Sequence, residues 1–379
     1  MKPFDTEWLL SAERVLPSAA ELLNLAANLA AQGELEKAAT ACDAAFNVAP
    51  DDPDVTSARA LLLDRLRLEE HGLVFRYVPA GPFLMGAEDG DPDERPVHAV
   101  ELDPFWITEV PITWSAYHAL LGWPPPPSGL PQHKPMRDPK TGKYDNELFS
   151  LHNDHKIRRQ YCESETIQAR DWHAHAPEQA WRSGRDGEHV TTSKELFGDV
   201  PRNDATRPWT YDQKPMVAVS WAQANALGTA LSNERVIYRL PTEAEWEKAA
   251  RGGFVGRRYP WGNDPPTPEL CDFGRFDAFS IRPPQALPPN GYGLRGMSGG
   301  VREWTADGYD AAYYAESPRA RPTGPATARR KQRVLRGGSW ADCAWAVRVS
   351  FRMGLDPNKA SDPTIGFRLC RTVRGTTRR

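Results

Sequence analysis

The stretch Arg239-Leu240-Pro241-Thr242-Glu243-Ala244-Glu245-Trp246-Glu247-Lys248-Ala249-Ala250-Arg251-Gly252 reads as a short helix with both ends specified. Thr242 can cap the N-terminus, Glu245 can reach back to close a capping box, and Gly252 ends the run. A short surface helix is expected. Working outward, recognisable strand and helix resume upstream at Met216-Val217-Ala218-Val219-Ser220-Trp221, and earlier the chain reads as short strands, Leu73-Val74-Phe75-Arg76-Tyr77-Val78, a Pro79-Ala80-Gly81-Pro82 turn and Phe83-Leu84-Met85. By periodicity the region from Leu73 onward is α+β and rich in loops, and its boundary falls near Gly72, giving units 1–72 and 73–379.

Residues 17 to 70 read as helices, with Leu22, Leu23, Ala26, Leu29 and Ala30 at helical spacing and Gly33 breaking the pattern. The run from Leu25 through Gly33 to Phe46 and Pro50 resembles one tetratricopeptide repeat, small where two helices touch and closed by proline. One repeat cannot bury its apolar face alone, so it acts as a helical cap on the main domain or as a docking module for an assembly partner. Residues 122 to 213 open with Pro124-Pro125-Pro126-Pro127 and continue polar and His-rich, as a long insertion into the main domain.

Composition narrows the classes of function. The 379 residues are 40% hydrophobic, enough for one large core and a small one. A formal charge of −3 gives no electrostatic footprint for nucleic acid. No apolar stretch is long enough to span a membrane and no signal peptide is visible, so a cytoplasmic location is expected. The five cysteines, Cys42, Cys162, Cys271, Cys343 and Cys370, are scattered and form no CxxC pair. Thirty-five prolines, 29 glycines and 13 tryptophans predict short elements pinned by large aromatics.

Several segments occur in a fixed order: Val78-Pro79-Ala80-Gly81 to Met85-Gly86; Pro96-Val97-His98 with Ile107-Thr108-Glu109; Pro215 to Trp221; Arg239 to Glu247; Tyr259-Pro260-Trp261-Gly262; Asn290-Gly291-Tyr292-Gly293-Leu294; Glu303-Trp304; Arg333-Val334-Leu335-Arg336-Gly337-Gly338-Ser339-Trp340; and Ile365-Gly366-Phe367-Arg368-Leu369. Together they resemble the formylglycine-generating enzyme, or sulfatase-modifying factor, family from Leu73 to about Arg371, the insertion excepted. The resemblance implies a fold similar to a C-type lectin: a small twisted antiparallel core, two helices, and irregular loops tied down by buried Trp and Arg.

In that family the Gly-Gly-Ser-aromatic strand leads into a loop whose two cysteines bind copper and activate oxygen, a task suited to soft thiolates. Here the first cysteine aligns with Asp342 and the second with Val347, and Cys343 stands one residue away from the first. Cys343 is either a thiol activated by Arg348 or Arg352, or a small packing residue. Arg348, Arg352 and Arg368 either face a bound anion or peptide carboxylate, or tie loops together. The resemblance also implies calcium sites: Glu303 keeps the glutamate, Gly299 and Val301 can offer carbonyls, Gly296 replaces an Asn or Asp, and Asp272 is the remnant of a second site. A related iron-dependent branch, the sulfoxide synthases, takes three histidines from a preceding helical bundle, whereas residues 1 to 72 contain only His71. His152, His155, Cys162, His173 and His175 of the insertion either assemble a zinc or iron site or belong to a solvated loop, and their spacing matches no known metal motif.

These residues lead to a non-catalytic protein- or peptide-recognition protein that binds through the 339–365 loop, with Trp340, Asp342, Cys343, Trp345, Arg348 and Arg352 as candidate ligand-binding residues. Ala341, Asp342, Cys343, Ala344, Trp345, Val347, Ser350, Met353 and Leu355 would be its exposed set. The rival is a divergent copper- or iron-dependent oxidase of a cysteine-containing substrate, using Cys343, Asp342 and histidines of the insertion.

Overall fold

The computed structural model describes residues 17–120, 213–217, 219–274, 281–325, 331–358 and 364–374. All of the expected insertion but Gln213 lies outside the described residues, including His152, His155, Cys162, His173 and His175. The chain divides into two units, Met1–Arg65 and Leu66–Arg379.

The first unit contains helices α1 (Ala19–Ala31), α2 (Leu35–Val48) and α3 (Pro53–Arg65). Ser18 and Glu21 form a reciprocal capping box at the start of α1. Gly33, at φ 81, makes the left-handed turn into α2. Small side chains let the helices approach: Ala26 of α1 meets Ala38, Ala41 and Cys42 of α2, and Leu62 of α3 joins them. Arg59 of α3 donates to Asp43 of α2 at 2.8 Å in a buried pair, and its guanidinium lies 4.3 Å from the Phe46 ring centre.

The second unit begins ahead of Gly72. Residues expected to continue a helix to Glu70 instead form strand β1 (Leu68–Glu70), which pairs antiparallel with β2 (Leu73–Val78) through His71 and Gly72, at φ 55 and 70. The sheet gives Glu70 partners that a helix would not: it accepts from Arg371 at 2.7 and 2.9 Å and from the Tyr238 hydroxyl. The further strands are β3 (Gly81–Met85), β4 (His98–Leu102), β5 (Phe105–Thr108), β6 (Val236–Arg239), β7 (Arg302–Gly308), β8 (Arg333–Arg336), β9 (Arg352–Leu355), β10 (Ile365–Phe367) and β11 (Cys370–Val373). They form sheets in the orders β1-β2-β5-β11-β6, β10-β7-β8-β9 and β3-β4. Every pair is antiparallel except β10 with β7.

Helices α4 (Trp114–Leu120), α5 (Trp221–Leu231) and α6 (Glu243–Arg251) complete the unit. Phe75, Tyr238, Leu240, Trp304, Trp340 and Phe367 lie in one buried cluster. The arrangement is α+β, as expected. Among the described residues no helix is long and apolar enough to cross a membrane.

Helix α6 has the expected capping box and a left-handed Gly252 at φ 62, but it does not lie on the surface. All nine of its residues are buried. Its charges are tolerated there because each meets a partner. Glu243 accepts from Arg352 at 2.7 and 2.8 Å, Glu245 from Arg239 at 2.6 and 2.7 Å, and Glu247 from Arg251 at 2.6 and 3.0 Å and from Arg336. Lys248 donates to the carbonyls of Pro79 and Gly81 at 2.6 and 2.9 Å.

Candidate functional site

Strand β8 ends at Gly337 and Gly338, at φ 92 and 65. A Cβ at Gly338 would lie 2.5 Å from the Ala346 carbonyl oxygen, so only glycine lets the following loop fold back this closely. The loop is turned inward as a result. Trp340 enters the main core, fully buried. Asp342, also fully buried, accepts from the Arg302 guanidinium of β7 and from Ser339 Oγ at 2.8 Å. Val347 packs with Tyr259 and Cys271.

Cys343 sits in a small apolar cluster with Ala346 and Phe351. Burial pushes its thiol up, against backbone hydrogen bonds at Ala346 and Trp345 that pull the other way. At neutral pH it is therefore a protonated packing residue. The arginines that could have activated it are engaged elsewhere: Arg348 with Glu94 at 2.6 and 3.0 Å, and Arg352 with Glu243. Arg368 is bound to Glu303 at 2.9 and 3.0 Å.

Of the six candidate ligand-binding residues, Trp340, Asp342, Cys343, Arg348 and Arg352 are buried and Trp345, 37% exposed, reaches solvent. The six do not make one surface. The wider exposed set is corrected likewise: Ala341, Val347 and Ser350 are buried, and Ala344, Met353 and Leu355 are half-buried. The reason is that the loop supplies core and ion-pair contacts to the strands beneath it. Trp345 itself is held in place, its Nε1 donating to Asp91 at 3.1 Å and its ring centre 3.8 Å from the Arg348 guanidinium.

Copper does not fit this loop. A Cu(I) site needs soft sulfur donors, whereas Asp342 offers a carboxylate already neutralised by Arg302 and Val347 offers an alkyl group. Among the described residues Cys42, Cys271, Cys343 and Cys370 are free and buried. The two carboxylates among the calcium candidates already have protein partners. Both Glu303 oxygens face Arg368 Nε, and Oε2 also accepts from Trp246 Nε1 at 2.7 Å, so a guanidinium occupies the cation's place. The Asp272 carboxylate accepts from the backbone N–H and Nε of Arg282, and its carbonyl accepts from Gly300 N–H. Among the described residues no group of three or more His, Cys, Asp or Glu could hold a metal ion. The sequence reading missed Arg302, Glu94 and Arg336, which carry this chemistry. Arg336 had one signal, a charge closing the apolar run Val334-Leu335, whereas Arg302 opens a polar strand and Glu94 lies in the short 3-10 turn Pro92–Glu94, where nothing local marks either as buried.

The sulfatase-modifying factor enzyme 1-like domain matches residues 67–373. The chain belongs to this family. A formylglycine-generating enzyme of Streptomyces coelicolor is 32% identical over 311 residues, covering 77% of this chain and 87% of that protein. The inactive C-alpha-formylglycine-generating enzyme 2 of Mus musculus is 32% identical over 319 residues, covering 77% and 83%. The serine/threonine-protein kinase pkn1 of Chlamydia caviae is 30% identical over 302 residues, which cover 79% of this chain and 38% of the kinase. Among solved structures, PvdO from Pseudomonas aeruginosa matches with a TM-score of 0.52 at 21% identity, covering 80% of this chain and 97% of PvdO. The Treponema denticola variable protein 1 matches with 0.51 at 21% identity, covering 79% and 94%. At this identity the two structures show the family's fold alone.

Proposed function

We propose that this chain is a non-catalytic recognition protein on a formylglycine-generating-enzyme scaffold, binding a protein or peptide ligand. The observation that carries the reading is the buried Arg302–Asp342 pair, which converts the position of a copper-binding thiolate into part of the folded framework. A relative described as inactive agrees with such a change of use. Trp345, fixed by Asp91 and Arg348 yet open to solvent, is the anchor we assign on the 339–365 loop. The helices α1 to α3, with Leu25, Val48 and Leu61 exposed, support a tetratricopeptide-like role in recruiting an assembly partner. Among the described residues the cysteines are free and buried, which suits a reducing compartment, and we place the protein in the cytoplasm.

The test is a Cu(I) titration against a colorimetric Cu(I) chelator, paired with oxygen consumption in the presence of a cysteine-containing peptide. The chelator should remove all the copper, and oxygen uptake should stay at the level of the peptide alone. Copper retained near one per chain, with oxygen uptake lost in Cys343→Ser, would establish an oxidase instead.

A further inference from the structure

The segment Gly90-Asp91-Pro92-Asp93-Glu94, between β3 and β4, reaches the exposed Trp345 from 254 residues away in the chain. It folds as a tight 3-10 turn: the Asp91 N–H donates to Glu94 Oε1 at 3.1 Å and the Glu94 N–H donates to the Asp91 carbonyl at 3.0 Å. A Cβ at Gly90 would lie 2.3 Å from Glu94 Oε2, so the missing side chain lets the Glu94 carboxylate turn inward, where it is fully buried.

Two separate contacts run from this turn to the tryptophan. Asp91 Oδ2 accepts from Trp345 Nε1 at 3.1 Å, which fixes one edge of the indole. Glu94 acts through Arg348: its Oε1 and Oε2 accept from the guanidinium at 2.6 and 3.0 Å, and that guanidinium lies 3.8 Å from the Trp345 ring centre. Arg348 also donates from Nε to the Trp345 carbonyl at 2.9 Å and from Nη1 to Ser350 Oγ at 3.3 Å, so its own position is set from several sides. Asp91, Trp345, Arg348 and Glu94 form a closed ring of contacts.

The ring of contacts explains how a large aromatic can stand 37% exposed and still hold one orientation. A buried guanidinium needs its carboxylate, so Glu94 keeps Arg348 against the indole. The indole N–H, the one polar group on that side chain, is given to Asp91, and a ligand therefore meets Trp345 through its carbon surface. An aromatic held before binding gives up little rotamer freedom when a ligand arrives, whereas ordering a free one costs affinity.

We infer that Asp91 and Glu94 are positioning residues for the Trp345 anchor, Asp91 through the indole N–H and Glu94 through Arg348. The inference deepens the recognition reading and rests on it. Their part is to set the direction of the ring before a ligand arrives.

The test is the indole 1H–15N spectrum of the full chain labelled at its 13 tryptophans, with Trp345→Phe assigning the Trp345 signal. Asp91→Leu should shift that signal and quicken exchange of its proton with water by about 3- to 10-fold, the usual worth of one hydrogen bond, while the signals of the buried Trp246, Trp304 and Trp340 stay in place. Asp91→Asn keeps an acceptor oxygen and should restore both the native shift and the native exchange. Glu94→Gln, which weakens the hold on Arg348, should move the Trp345 signal with Asp91 intact. A Trp345 signal unmoved in Asp91→Leu, or one that Asp91→Asn fails to restore, would overturn the part of Asp91, and one unmoved in Glu94→Gln would overturn that of Glu94. All the tryptophan signals moving together in Asp91→Leu would overturn it too, as the mark of a framework residue. Failure of the recognition reading is read separately: retained copper in a chain whose Trp345 responds as expected overturns that reading alone, and an unresponsive Trp345 in copper-free protein overturns the positioning alone.

Discussion

Asp342 and Asp307 are both buried carboxylates, and their neighbours give them opposite properties. Asp342 has the Arg302 guanidinium beside it. Asp342→Ala would leave that buried guanidinium without its carboxylate and should lower stability by about 3–5 kcal/mol in urea unfolding. Asp307 forms no salt bridge with a described residue: burial pushes its carboxyl up to about 8, Glu243 and Glu245 add repulsion, and the Glu243 N–H at 2.7 Å and Arg352 oppose the rise. Between an unfolded value near 4 and this folded value the native state keeps a proton that the unfolded chain releases. Stability should therefore fall as pH rises from about 4 to 8, by at most about 1.4 kcal/mol per pH unit, and level off above. Urea midpoints across that range should show the slope in the native chain and a flatter line in Asp307→Asn. Trp345 makes the complementary case at the surface: Trp345→Ala should abolish binding of a peptide ligand in calorimetry with little change in melting temperature, and a large loss of stability would mark it as framework instead.

At the scale of an element, α6 separates what is local from what is not. Its ends follow from Thr242, Glu245 and Gly252, and each can be tested. Thr242→Ala removes the cap to the Glu245 N–H and should cost about 1 kcal/mol. Gly252→Ala should cost more, because φ is 62 and a Cβ would lie 2.8 Å from the Gly291 nitrogen. Thermal melts of the two variants should fall in that order. The burial of α6 was not legible in its alternating charges, which describe an exposed helix equally well. What makes burial possible are guanidinium groups from β6, β8 and β9, and no helical spacing encodes those.

At the scale of the whole molecule, the division of the chain at Arg65 has a measurable consequence. A chain starting at Leu66 keeps β1 and the Glu70 carboxylate that receives Arg371 and Tyr238, whereas one starting at Leu73 loses both. The longer chain should melt about 3–6 °C higher, as loss of a strand and of a part-buried ion pair worth about 2 kcal/mol would produce in a domain of this size. Equal melting temperatures would place the boundary at Gly72 after all.

Sequence by itself determined the family, because its ordered motifs are local runs set by turn glycines, caps and packed aromatics. It also determined that Asp342 and Val347 stand where the family's cysteines align. Only the tertiary structure decided that the 339–350 loop is framework. The physical reason is range. Arg348 and Glu94 stand 254 residues apart and Arg302 and Asp342 stand 40 apart, so whether each charge faces solvent, a ligand or a buried partner is fixed by the sheets that bring them together.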